Sequence, residues 1–368
     1  MSSTNILLLH LFSNGDCLFA TTVAKQIKFD YPDCRLTWMI ASNCKSMIIN
    51  NPDVDEILEV DMSVHHDKEI VFNQCLKSAK DQQEIGVYNH VFVSQIIGDT
   101  FSHYDSCVRT SIYRCYGKPI TVSRKPVLIL TDEEKDKAIS FVNANKLHDY
   151  KNLILFECAP LSGQVNFSID FIKSFASKIV QRGDTAIILS SAKKIPVDIK
   201  GVIDGSPLTI RETVALSEYC TLLLGCSSGI TWATTSVESR QIPMVQLLDA
   251  KAYIYNPPSI GFSKVGASTD AIIELYEYDL QRLISCINNV FDIGFAEAKI
   301  KFNQPAKTNY RIFRGITHTF IKRKKYRLLR QFISMNLKEN GFDIKMMYMI
   351  AKGIVLYPIQ SMLNKKSI

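Results

Sequence analysis

The sequence predicts an α/β protein of two Rossmann-like, doubly wound domains facing each other across a cleft, followed by a basic helical tail. Three observations carry that expectation. Short apolar, β-rich runs alternate with longer stretches of helical period, the pattern of parallel βαβ units. The alternation runs out and restarts near residue 150, and a chain of 368 residues exceeds what one hydrophobic core usually supports. Beyond about residue 296 the alternation stops and the charge changes sign: residues 299–368 hold 16 Lys/Arg against Glu339 and Asp343, a net of +14, so the remainder of a chain that totals +7 is at −7.

The elements follow in order. Ile6–His10, Arg35–Ile40, Glu56–Val60 and His90–Val93 read as strands. Asp16–Phe29, Lys68–Lys80, Phe101–Tyr116 and Asp132–Asn145 read as helices. The polar stretch 146–151 (KLHDYK) marks the boundary between a first domain, 1–148, and a second, 149–296. In the second, strands are expected at Leu153–Glu157, Thr185–Leu189, Thr221–Leu224 and Met244–Leu248, with helices at Ser168–Gln181, Ile210–Tyr219, Ser228–Val237 and Leu280–Phe291. The tail, 297–368, has two helix-like amphipathic stretches, 321–332 and 343–364. Lys352 and Pro358 interrupt the second, which falls short of the roughly 20 apolar residues of a membrane span.

Composition narrows the class. With 46% apolar residues and a mean hydropathy of +0.03, the chain is globular and is no multi-span membrane protein. The first residues, MSSTNILLLHLF, lack a basic run and hold only a short apolar one, which fits a buried strand and not a signal peptide. Ten cysteines without a CxxC pair fit reduced thiols of a cytoplasmic protein.

Ligands of open parallel sheets bind outside the carboxyl ends of the strands, where the turn Ser13-Asn14-Gly15-Asp16 must lie. Gly15 permits close backbone approach, and Asn14 and Gly15 are candidate contacts of a ligand. Asp16 fits two roles, a helix cap and a general base that takes a proton from a hydroxyl. The turn lacks GxGxxG, which argues against a nicotinamide dehydrogenase. Asp53-Val54-Asp55 spells a DxD pair but sits in a helix-to-strand loop, and His65 and His66 lie in a polar stretch, so these are read as surface residues and no metal site is expected. Ser227-Ser228-Gly229, between a strand and a helix, fits both an anion site at the helix start, with Thr231 beside it, and an ordinary capped helix.

The span ILLLHLFSNGDCLFATTVAKQIKFDYPDCRLTWMIASNCKSMIINNPDVDEILEV resembles the amino-terminal half of a bacterial heptosyltransferase, and the resemblance extends over about residues 5–250. It implies the GT-B fold and a metal-independent, inverting glycosyltransferase. The Asp of the family's Gly-Asp turn, the presumed base, matches Asp16. The family's Asp-Ser-Gly-x-x-His turn falls on Ser227, Ser228, Gly229 and Trp232, so the acidic residue and the histidine are replaced. A Lys-x-Trp that contacts donor phosphates falls on Gln164 and Asn166, within a loop that also offers Ser162 and Gly163 as donor contacts. The resemblance thus implies a nucleotide-sugar as donor, no further cofactor, and a lipid-linked surface glycan as acceptor, of lipopolysaccharide core or O-antigen type. The lost donor-site residues leave open a catalytically inactive relative that only binds.

The basic tail fits a peripheral contact with an anionic membrane through residues 321–364, at the inner face of the inner membrane. Packing back on the first domain and nucleic-acid binding are the alternatives. The Met, Ile and Tyr content of 343–364 favours lipid over nucleic acid.

Overall fold

The computed structural model describes residues 4–62, 67–160, 165–249, 255–276 and 279–365, with side chains as far as residue 355. A first parallel sheet is formed by β1 (Asn5–Leu9), β2 (Arg35–Ala41), β3 (Glu56–Val60) and β4 (His90–Val93), in the order β3-β2-β1-β4. Helices α1 (Asn14–Asp30), α2 (Lys68–Glu84), α3 (Val108–Cys115) and α4 (Asp132–Ala144) accompany it. The second sheet has six parallel strands in the order β10-β9-β8-β5-β6-β7. These are β5 (Asn152–Glu157), β6 (Thr185–Ser190), β7 (Val202–Asp204), β8 (Leu222–Gly225), β9 (Met244–Leu247) and β10 (Ile272–Leu275). Its helices are α5 (Ile169–Val180), α6 (Ile210–Leu216), α7 (Gly229–Ala233), α8 (Pro258–Lys264), α9 (Leu280–Asp292) and α10 (Phe295–Phe302). The two-sheet α/β architecture expected from the sequence is the one observed.

A parallel sheet must be covered on both faces, and the strands alternate accordingly. Leu7 and Leu9 of β1 face Val71, Phe72 and Ala79 of α2, whereas Ile6 and Leu8 face α1. In the second sheet Ile154 and Phe156 pack with Ile172 and Phe175 of α5 and Leu283 of α9. Leu153 and Leu155 face inward, into the same apolar cluster that holds Ile6 and Leu8. The inner helices of the two halves therefore share one core, with α1 against α7, α3 against α8 and α4 against α6. Buried Arg211 of α6 clasps this contact: it pairs with Glu134 of α4 and donates to the Ser46 carbonyl at 2.9 Å and to that of Ile129.

Several elements differ from expectation. β7 and β10 were not anticipated; β7, with three residues, is too short to show alternation. The stretch 101–116 is broken into a 3-10 turn (Gly98–His103) and α3, since Ser106 adopts φ +77° and the Asp105 carboxylate binds the N–H of Cys107. α7 has five residues and not the ten of Ser228–Val237. The ten cysteines are free thiols, eight of them buried.

Residues 311–365 form α11 (Arg311–Lys322), α12 (Tyr326–Asn340) and α13 (Ile344–Lys365). The single helix expected over 321–332 is interrupted at Lys324, whose φ of +55° turns the chain. Among the described residues no helix is long and apolar enough to cross a membrane. The tail docks on the first half: Phe313, Phe320 and Phe332 are buried with Tyr104, Met346 and Ile350. Each such aromatic stabilises by about 1.5–3 kcal/mol, so this burial outweighs the half-exposed ion pairs Arg323–Glu69 and Lys325–Asp99, worth about 0–1 kcal/mol each.

Asp105 joins all three parts. Its buried carboxylate meets Lys264 of α8 at 3.2 Å and Arg114 of α3 at 3.2 Å, and accepts from Thr110 and Ser111. Lys264 in turn donates to Asn340 of α12 at 3.0 Å, and Arg114 pairs with Glu339. Burial pulls the carboxyl upward, but Lys264 and Arg114 prevail and hold it below the ordinary range. Its stabilisation is therefore present above the ordinary carboxyl range and lost as pH falls through the depressed value. The substitution Asp105→Asn takes the buried carboxylate from Lys264 and leaves Arg114 with Glu339 alone, and should cost about 3–5 kcal/mol in chemical denaturation at pH 7, with a smaller difference from wild type in strong acid.

Candidate active site at the two switch points

In each sheet the strand order reverses at one place, beside β1 and β4 in the first and β5 and β8 in the second. Open α/β sheets bind ligands at the carboxyl ends of strands flanking such a reversal. The turn holding Asp16 and the turn holding Ser227–Gly229 follow β1 and β8. They touch. A Cβ built on Gly15 would lie 3.1 Å from Cδ1 of Trp232, and one on Gly229 would lie 3.8 Å from Cβ of Asn14.

The Asp16 turn is held rigidly. Gln95, just after β4, accepts the N–H groups of Leu11 at 2.9 Å and Phe12 at 2.8 Å through Oε1, and Ser94 bonds His10 Nδ1 at 2.9 Å. Burial pushes the His10 imidazole down to about 3, so it remains neutral. Ser13 adopts φ +70°, which turns the chain into α1. Asp16 lies in the first turn of that helix, but the cap residue is Ser13 and its side chain makes no capping bond. The Asp16 carboxyl is half-buried, and loss of water pushes its pKa up to about 7, opposed by Lys68 at the start of α2. Tyr255 stands within electrostatic reach: burial first, and then Asp16, raise its pKa. A carboxyl poised near neutrality suits proton transfer.

The second turn is built around Glu157, the last residue of β5. Its Oε2 accepts the Cys226 N–H at 3.1 Å and the Thr231 hydroxyl at 3.0 Å, and its Oε1 accepts the Ile230 N–H at 3.1 Å. Gln246 of β9 accepts the Ser227 N–H at 2.8 Å, fixing Ser227 at φ +56°. A buried carboxylate of the chain itself therefore takes part of the donor set at the start of α7, where the sequence points to a bound anion. Thr231, expected among the ligand contacts, is fully buried with its hydroxyl directed at Glu157. Ser228 is half-buried, and its side chain makes no capping bond to the helix. Trp232, at the position of the family's histidine, wedges between Phe19 of α1, 5.0 Å away edge-on, and Phe262 of α8, 5.9 Å away and stacked.

Ser162, Gly163 and Gln164 lie outside the described residues, as do His65 and His66. Asp55 of the DxD pair meets Lys28 at 2.5 Å and the Leu36 N–H at 2.6 Å, ties that hold its loop to α1 and β2. Among the described residues no group of three or more His, Cys, Asp and Glu side chains is placed to hold a metal ion. Sequence reasoning missed Glu157, Gln95 and Lys68. Of these only Glu157 left a signal, a carboxylate closing the otherwise apolar strand LILFE.

Two open parallel sheets with their switch-point turns in contact define the GT-B class of two-domain fold. Solved structures share it: a glycosyl transferase family 9 protein from Veillonella parvula matches with TM-score 0.55 and 15% identity, covering 82% of this chain and 97% of that one. The ADP-heptose lps heptosyltransferase II of E. coli matches at 0.53 and 14% identity, covering 78% and 98%. A putative UDP-N-acetylglucosamine 2-epimerase from Listeria monocytogenes matches at 0.52 and 9% identity, covering 88% and 98%. No family model matches the chain, and no curated protein matches it.

The raised carboxyl of Asp16 makes a stability prediction. Between about pH 4 and 7 the folded state holds a proton that the unfolded state has lost, so this group's contribution declines as pH rises through that window. Asp16→Asn should leave stability unchanged near pH 4 and raise it at pH 8 by about 1–2 kcal/mol, the half-burial discounting the full shift. Thermal melts at the two pH values check this.

Proposed function

We propose that the protein is an inverting, metal-independent glycosyltransferase that moves a sugar from a nucleotide-sugar to a lipid-linked surface glycan, of lipopolysaccharide core or O-antigen type. Residues 1–148 form the acceptor side and 149–296 the donor side. The observation that carries the reading is the Asp16 carboxyl, raised to about 7, at a turn that abuts the Ser228 turn of the other sheet. The family 9 transferase and the heptosyltransferase named above support it by fold.

In this reading the Asp16 carboxylate takes the proton of an acceptor hydroxyl. The oxygen attacks the anomeric carbon from the side opposite the leaving group, and the bond to the diphosphate breaks with its electrons going to the phosphate oxygen. A single in-line displacement inverts the centre. Asn14 and Gly15 contact the sugar, while Ser227, Ser228 and Gly229, with Ser162, Gly163 and Gln164, hold the diphosphate through hydroxyl, amide and N–H donors, and no cofactor beyond the donor itself takes part. Lys68 helps to keep the base ionised when substrate excludes water.

The reaction takes place at the cytoplasmic face of the inner membrane. The outward face of α13 presents Ile344, Tyr348 and Val355, exposed by 76%, 57% and 58% at helical spacing, and α13 packs on the basic helix α11. That face supports peripheral contact through residues 321–364.

A second reading is favoured by one observation: Glu157 and Trp232 fill the donor turn with the chain's own groups. It is a non-catalytic relative that binds glycans. Calorimetry with a panel of nucleoside diphosphates separates the two, since the transferase binds one of them and the inactive relative none. For the transferase, Asp16→Asn should lower turnover by about 100-fold or more with the fold retained. The wild-type rate should fall as pH drops below about 7; a variant with full turnover removes Asp16 from the mechanism.

A further inference from the structure

A cavity of about 710 Å³ opens between the C-terminal helices and the first half of the chain, and sugar transfer at Asp16 makes no use of it. Its volume is that of a small-ligand site, about 300–1,000 Å³. Phe101, Ile312, Ile316, Phe320 and Met349 give it an apolar lining. Four cationic side chains, Arg311, Arg314, Arg323 and Lys352, stand against one carboxylate, Glu69, which pairs with Arg323. Along α11 the lining residues recur at 311/312, 315/316, 319/320 and 323, so one helix face is cationic at its ends and apolar between them.

Gly315 lies in the middle of that face. Among the described residues a side chain built there would meet nothing within 4 Å, so none of their packing demands the glycine, although glycine weakens a helix interior relative to alanine. Gly353 is the contrast: a Cβ there would come within 2.5 Å of the Arg314 carbonyl oxygen and 2.8 Å of Thr317 Cβ, so the crossing of α11 and α13 requires it. The missing side chain at 315 leaves the cavity open.

We propose that this cavity binds a phosphorylated lipid, with the phosphate between Arg311, Arg314 and Lys352 and the start of the hydrocarbon chain on Phe101, Ile312 and Met349. Converging cations suit the several oxygens of a phosphate. An apolar lining alone would take a neutral hydrocarbon, and a cationic rim alone a soluble anion; the two together select an amphiphile. The cavity adjoins the exposed apolar face of α13, because Lys352, which lines it, stands 5.5 Å over the ring of Tyr348 on that face. Two sources share the chemistry, a bilayer phospholipid and a phosphorylated lipid carrier of the acceptor. The second rests on the transferase reading and gains from position, since Glu69 lines the cavity and its neighbour Lys68 acts on Asp16.

The test is calorimetry on the full chain with farnesyl phosphate, farnesol, inorganic phosphate and dihexanoyl phosphatidylglycerol. Farnesyl phosphate or the short phosphatidylglycerol should bind at least about tenfold tighter than farnesol and inorganic phosphate, and the tighter of the two identifies the source. The exposed-site variant Arg314→Glu and the filling variant Gly315→Phe should each weaken that binding about tenfold or more. Asp16→Asn should bind like wild type whether or not it transfers sugar, which separates this proposal from the transferase reading. Wild-type affinity in Arg314→Glu, or a phosphorylated lipid bound no better than inorganic phosphate, overturns it.

Discussion

The buried carboxylate of Asp105 is the contact on which the arrangement depends. It belongs to the first half of the chain, its strongest counter-charge, Lys264, belongs to the second, both meet Asn340 of the tail, and Arg114, its other cation, pairs with Glu339 of the tail. A buried charge tolerates little displacement, because each partner withdrawn leaves the others desolvated. Asn256 repeats the pattern a few residues away, donating to Ser106 of the first half and accepting the N–H of Asn309 that leads into the tail. Three bodies are locked by polar groups with few alternative geometries, on top of an apolar core that would tolerate sliding.

That lock fixes what faces what at the two switch points. With α3 tied to α8, the neighbouring α1 and α7 meet through Phe19, Trp232 and Phe262, and the turns preceding them come into register. Trp232 is therefore the wedge that holds the two turns at their observed spacing. Glu157 acts in the same direction from below, spending a buried carboxylate on the donors that start α7. On the other side Gln95 takes the N–H groups of Leu11 and Phe12, but among the described residues no side chain hydrogen-bonds the Asp16 carboxyl, which is left desolvated beside Lys68. Of the two turns, that one keeps its polar chemistry available.

The tail shows how a strongly basic segment can be structural and still present chemistry. Phe313, Phe320 and Phe332 are consumed in docking with Tyr104, while cations are left around a cavity beside an outward apolar face. The sequence showed amphipathic helices there, and either a bilayer or the protein could have covered them. Periodicity describes a face without naming its partner. The structure divides the faces: Phe313, Phe320 and Phe332 turn inward, and Ile344, Tyr348 and Val355 turn out.

The sequence by itself determined the local elements and their order, because pleat alternation and helical period are properties of neighbouring residues. β1 to β6, β8, β9, α1, α2, α4, α5, α6 and α9 were legible for that reason, and so was the place of Asp16 in the turn after β1, since the turn after the first strand of a parallel sheet lies at its carboxyl edge. Tertiary structure decided everything that depends on residues far apart: that Glu157 fills the start of α7, that Thr231 points inward, that Gln95 clamps the Asp16 turn, and that Arg311, Arg314 and Lys352 gather around one cavity. Burial and electrostatic partnership are set by three-dimensional packing, and no spacing along the chain encodes them.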